Sequence, residues 1–289
     1  MMAAEIGGGL LFGSIALVAD GLHMSTHAGA LLLAALAYRY ARRHAGDPRF
    51  SFGTGKFGDL AGFTSAIVLA MIALLIGYEA AGRLFAPVPI RFTEAIPIAC
   101  LGLAVNVASV WLLSGGHGHD HGHHHDHGHA HGHDHDHDHH TDHHGKAARD
   151  NNMRAALVHV MADAAVSVLV IVGLLLARWL GWQWIDPAVG MVGALVIASW
   201  AWGLVRDTGA ILLDMCPDQK MAEKLRIAIE TDGDRITDFH LWRLGPGHLG
   251  AIFCVHTSHA RDTHFYRERI SGFRNVSHLT IEVRSPPPV

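Results

Sequence analysis

Apolar residues in this chain fall into long, nearly unbroken runs separated by short polar turns, unlike the single apolar stripe of a helix in a soluble protein. A helix that crosses a bilayer needs roughly 20 predominantly apolar residues. Five segments meet that length: Leu17 to Tyr40, Asp59 to Phe85, Phe92 to Leu113, Asn151 to Leu180 and Pro187 to Leu213. Met1 to Gly13 is apolar and rich in glycine, but only about half as long as a span requires. It has neither the basic lead nor the small-residue cleavage site of a signal peptide. It is therefore expected to be the tail of a first helix whose start is missing or unusually short. Residues 1–213 are expected to form an α-helical integral membrane domain, a six-helix bundle with its first helix truncated.

After Asp214 the pattern changes register. Pro217 and Asp218 mark a helix start, and Met221 to Ile229 has helical apolar spacing. Ile236 to Leu244 and Ala251 to His256 predict strands on either side of the Gly245-Pro246-Gly247 turn. Thr263 to Phe273 predicts a helix, and His278 to Arg284 a closing strand. That αββαβ order suggests a small ferredoxin-like α+β domain over residues 214–289, short enough to gain from a partner surface.

Composition sharpens this division. Half of the 289 residues are hydrophobic and 17% are charged, which is the balance of a membrane protein and not of a typical soluble domain. The formal net charge of −4 gives no support for a nucleic-acid partner. Arg39, Arg42, Arg43, Arg49 and Lys56 crowd the loop after the Leu17 helix, which the positive-inside rule puts in the cytoplasm. Counting helices onward puts the tail and the loop around residue 130 on the same side. Cys100, Cys216 and Cys254 have neither the spacing of a thiolate metal site nor that of a disulfide framework.

The candidate chemistry lies inside the apolar segments. His23 and His27 stand four residues apart and so share a helix face. His159 and Asp163 repeat the spacing in a later segment. Together they offer three nitrogens and one oxygen, a set suited to a divalent transition metal, and ionisable groups at membrane depth usually line a site or a pathway. Asp20, a turn before His23, is a candidate to hold a ligand in place or to carry a proton, or simply to bond at a helix end. From Gly115 to Gly145 the chain is almost wholly His, Asp and Gly, with sixteen of the 26 histidines. No packed core forms from that composition, so it is expected to be a disordered cytoplasmic tract that gathers transition metals. Among the tail histidines, His240, His248, His256, His259, His264 and His278, some are candidates for a regulatory metal.

Other functions fit less well. A membrane di-iron enzyme needs several His boxes on ordered helices, whereas the second box here, His140-Thr-Asp-His143-His144, lies in the low-complexity tract. A membrane-anchored metal buffer would have no use for ligands within the bilayer. Direction of transport, export or uptake, is not written in the residues.

Several stretches resemble the cation diffusion facilitator family. Gly13-Ser-Ile-Ala-Leu-Val-Ala-Asp-Gly-Leu-His23 is similar to its second-helix signature, and Arg49-Phe-Ser-Phe-Gly-Thr-Gly-Lys56 to its cytoplasmic loop before the third helix. Asn152-Met-Arg-Ala-Ala-Leu-Val-His159-Val-Met-Ala-Asp163 is similar to its fifth-helix signature, and Ile185-Asp-Pro-Ala-Val-Gly190 to the start of its sixth helix. The resemblance implies a homodimer in the plasma or inner membrane, with a cytoplasmic ferredoxin-like domain, exporting divalent metal from the cytoplasm in exchange for protons. It implies no resident cofactor. The family's zinc members usually carry His and Asp in the second helix, where this chain has His23 and His27. The extra imidazole disfavours hard cations and resembles the cobalt- and nickel-exporting branch, so cobalt and/or nickel is the expected cargo and zinc the alternative.

Overall fold

The structure is a computed structural model that describes residues 1–115 and 144–284, with the side chains at 110, 113–115, 144–160 and 162 excepted. Six helices come first: α1 (Met2–Phe12), α2 (Ile15–Arg43), α3 (Phe57–Phe85), α4 (Phe92–Gly115), α5 (His144–Leu180) and α6 (Ile185–Leu212). The tail follows as α7 (Gln219–Ile229), β1 (Arg235–Gly245), β2 (His248–His256), α8 (Thr263–Arg269) and β3 (Val276–Arg284). The metal-gathering tract expected over Gly115 to Gly145 lies outside the described residues, apart from the helix ends at either side.

Among the described residues, four stretches are long and apolar enough to cross a bilayer: Phe57–Phe85, Phe92–Ser109, Asp163–Leu180 and Ile185–Leu212. α2 departs from the five-span expectation. It has the length, 29 residues, but Asp20, His23, Ser25, Thr26 and His27 interrupt its apolar character. A helix that carries a polar site into a bundle must lose hydropathy at that point. α1 is an apolar helix of 11 residues that ends at Gly13, whose left-handed φ of 81° suits a residue without Cβ.

The chain forms two compact units, Met1–Leu22 with Ile76–Ala194, and His23–Leu75 with Leu195–Val289. In the first, Ala16, Leu17, Ala95, Ala99, Val170 and Leu174 make a buried core, to which Phe12, Ile98 and Val189 add. Small residues let the helices approach. A Cβ on Gly8 would sit 2.5 Å from Ile98 of α4, and one on Gly173 2.7 Å from Val189 of α6. Between lipid-like surfaces no hydrophobic force draws helices together, so close packing of this kind has to. Arg83 donates to the Gly13 carbonyl at 2.7 Å, and the Arg91 amide donates to the Phe12 carbonyl at 2.9 Å, tying down the end of α1. At the turn between α5 and α6, Trp179, Trp182 and Trp184 are exposed, as aromatic side chains are at a membrane interface.

In the second unit the tail has the expected αββαβ order. The sheet runs β1-β2-β3, with β1 antiparallel and β3 parallel to the central β2. Leu225 and Ile229 of α7, Phe253 and Val255 of β2, Tyr266 of α8 and Ile281 of β3 share its core. Both helices start on aspartate caps: Asp218 accepts from the Met221 amide at 3.1 Å and Asp262 from the Phe265 amide at 3.0 Å. α8 stops at Arg269, short of the predicted Phe273, because Ser271 and Gly272 favour the turn in which the Phe273 amide bonds the Ile270 carbonyl at 2.9 Å. The α2–α3 loop packs on the β1–β2 hairpin: Phe52 meets Trp242 edge-on at 5.7 Å, and a Cβ on Gly55 would lie 2.5 Å from the Leu244 carbonyl oxygen. Lys56 of that loop pairs with Asp214 just past α6.

Asp234 is the buried polar centre of the tail. It accepts from Arg261 at 2.5 Å and from the Tyr266 hydroxyl at 2.8 Å. Burial pushes its carboxyl up, but bonds from Thr257, Tyr266 and Arg261 outweigh that and hold it below the usual carboxylate range. A carboxyl depressed in the folded state adds stability above its unfolded pKa of about 3.9 and loses it as pH falls through the folded value. Asp234→Ala should therefore destabilise the tail by about 3 kcal/mol near neutral pH, and the difference from wild type should shrink on acidification. Hydrogen exchange of the β2 amides across a pH series reads both effects.

Candidate metal site

The site depends first on where α2 begins. The first amides of a helix have no partner within it, and Asp186, at the start of α6, supplies one. Its Oδ2 accepts from the Ile15 amide at 2.8 Å and its Oδ1 from the Ser14 hydroxyl at 2.6 Å, while Ser14 Oγ accepts from the Leu17 amide at 3.1 Å. That cap fixes the start and rotation of α2. Helical spacing then carries Asp20, His23 and His27 down one face.

A second set of bonds fixes α5 against α2. The Ser167 hydroxyl donates to Asp20 Oδ2 at 2.9 Å, and Asn106 of α4 donates to Ser167 Oγ at 3.2 Å. All three residues are buried. Asp163 lies one turn before Ser167 on the same face of α5, and it too is buried.

The two imidazoles are the tightest part. His23 Nε2 and His27 Nε2 are 3.2 Å apart, with the rings edge to face. Two ligand nitrogens about 2.05 Å from a tetrahedral zinc are separated by about 3.3 Å, so the pair already has the separation that such an ion needs. Trp200 of α6 lies against the His23 ring, with centroids 5.3 Å apart. His159 is on α5 one turn before Asp163 and on its face, but its side chain is outside the described residues. Of the four expected ligands, His23 and His27 are brought together on one face of α2.

No third residue joins any pair of the tail histidines in a converging group, among the described residues. His259 bonds the Asp232 carbonyl at 2.9 Å, His248 the Ser277 hydroxyl at 2.6 Å, and His240 lies 3.0 Å from Asp238. These are local contacts of surface side chains. Sequence reasoning passed over Ser167, Asp186 and Trp200. Ser167 had a signal, being four residues past Asp163 on the same face. Trp200 had none, since an aromatic in an apolar helix is ordinarily a lipid or packing contact.

Two neutral imidazoles one turn apart on a helix can bind a borderline divalent cation and release it when protons take the nitrogens. The chain belongs to the cation efflux family: residues 1–213 match the cation efflux transmembrane domain. It is 29% identical to the zinc transporter ZitB of Pectobacterium atrosepticum, over 98% of this chain and 81% of that one. It is 34% identical to ZitB of Escherichia coli, over 84% of this chain and 69% of that one. It is 26% identical to the cadmium, cobalt and zinc/H(+)-K(+) antiporter of Bacillus velezensis, over 98% of this chain and 84% of that one. The protein is an integral protein of the inner membrane that moves divalent metal cations outward.

Ser167→Ala should cost about 1–3 kcal/mol, because it removes one buried bond from Asp20 and one from Asn106. Thermal unfolding of the detergent-solubilised protein should show that loss, with Ser167→Thr closer to wild type because it keeps the hydroxyl.

Proposed function

We propose that the protein exports zinc from the cytoplasm in exchange for protons, binding the ion through His23, His27, His159 and Asp163. The observation that carries this reading is the 3.2 Å separation of the His23 and His27 imidazole nitrogens. Zinc takes four-coordinate tetrahedral N and O ligands, and three imidazoles with one carboxylate make such a set. The names of the relatives favour zinc over the cobalt or nickel expected from the second histidine of α2. Cobalt is the second reading: the Bacillus relative's name includes it, and the same nitrogen-rich set accepts it. A homodimer is proposed on the family resemblance.

Protons supply the return half of the cycle. Each imidazole must be neutral to bind metal. A site open to a more acidic outside therefore exchanges its ion for protons, which it gives up after turning inward. Asp163 remains the one formal negative charge of the quartet, so a proton there weakens binding further.

In sealed vesicles, single alanine substitutions at His23, His27, His159 or Asp163 should each lower zinc flux by more than about tenfold, since even outer partners of metal ligands are worth 10–100-fold in affinity. Unchanged flux in any two of the four variants, at matched insertion, would refute the ligand set. Competition among zinc, cobalt and nickel in the same vesicles decides the cargo, and cobalt winning over zinc would favour the second reading.

A further inference from the structure

Glu5 of α1 has no part in the metal site as drawn above, yet it is buried at 2% exposure among apolar helices. Its place is made by two glycines. A Cβ on Gly102 of α4 would sit 1.9 Å from Glu5 Oε1, and a Cβ on Gly21 of α2 would sit 2.8 Å from Glu5 Cβ. Glu5 Oε2 is buried and has no hydrogen-bond partner among the described residues. An acid held this way, with one oxygen against bare backbone and the other unpaired, is too costly in an apolar interior to be there for packing alone.

Among the described residues, the charged side chain that acts on Glu5 is Asp20 on α2. From α4 the neighbours are Gly102 and, one turn on, the neutral Asn106, which bonds Ser167. Ser167 in turn bonds Asp20, and His23 follows Asp20 by one turn. An acid buried with an unpaired oxygen in such surroundings is accommodated at least cost in its neutral form.

We propose that Glu5 is a proton-carrying group of the exchange, which rests on the reading of this chain as a metal/proton exchanger. Its carboxylate takes up one proton to become the acid when the cation has left, and loses that proton when the next cation arrives. The coupling is electrostatic. A divalent charge entering beside Asp20 favours the ionised form of Glu5 through a low-dielectric interior. No covalent or redox chemistry is involved, and the proton released is the proton that was bound.

The test uses the full-length protein in liposomes, with zinc as the probe and a pH-sensitive dye to count protons moved per zinc. Flux is measured with and without an imposed proton gradient between about pH 6 and about pH 8. Glu5→Gln keeps the shape and removes the titration, while Glu5→Asp keeps the carboxylate. Glu5→Gln is expected to carry zinc down its own gradient but to lose stimulation by the proton gradient and to move fewer protons per zinc, with Glu5→Asp retaining both. A Glu5→Gln protein with the wild-type pH profile and proton count would overturn the assignment. So would equal loss in both variants, which would point to packing. Wild-type vesicles without zinc flux would instead bring down the proposed function, and flux without any proton response would remove the exchange on which Glu5 depends.

Discussion

The cost of placing ionisable groups inside an apolar bundle governs the rest of this structure. Asp20, His23 and Asp163 are all nearly inaccessible, and each such group in a low-dielectric interior must be bonded, paired or given a cation. The bundle meets that demand with a short run of polar contacts from Asn106 through Ser167 to Asp20, and with the two imidazoles facing each other. The same demand sets which helix loses its lipid-like composition. α2 gives up apolar character between Asp20 and His27, while α3, α4 and α6 keep it. The position of the site is thus a consequence of where polarity can be satisfied, and the caps and glycines around it serve that end.

Much of the architecture was legible because the governing signals are local. Lengths of apolar runs place α2, α3, α4 and α6 to within a few residues, though α5 begins at His144, seven residues before the predicted Asn151, and period-two alternation with a Gly-Pro-Gly turn marks the β1–β2 hairpin. Aspartate caps at Asp218 and Asp262 marked two helix starts. Helix ends were less legible. α8 stops early because a local turn competes with the helix, and α2 starts two residues before the predicted Leu17 because a carboxylate more than 170 residues away in sequence caps it. No window centred on α2 contains that partner.

The site was legible in the same uneven way. The i, i+4 pairs His23/His27 and His159/Asp163 announce themselves, since two ionisable residues on one helix face are rare in apolar sequence. Their convergence is an inference from the repeated spacing, while within the first pair the two ring nitrogens do approach to 3.2 Å. What composition could not supply is the identity of the neighbours. Ser167 reads as an ordinary polar residue until its bonds to Asp20 and from Asn106 give it a task. Glu5 stood in full view as an acid in an apolar stretch, but without the glycines of α2 and α4 there was no reason to single it out from a helix-end carboxylate.

The helices also set an electrical scale. Sixteen residues separate Asp163 from Trp179 on α5, and sixteen separate His23 from Arg39 on α2, so each path is about 24 Å along its helix. Each of these two proposed ligands therefore lies about 24 Å along its own helix from a residue that marks an interface. An ion reaching them from either side has crossed roughly half of the membrane's voltage drop. For a doubly charged ion that half-step is worth about 2.3 kcal/mol per 100 mV, enough to matter if the ion travelled alone. Two protons moving in the opposite sense over the same path carry the same charge back, so a carrier loaded in that ratio would work at the same rate in a polarised cell as in a depolarised one.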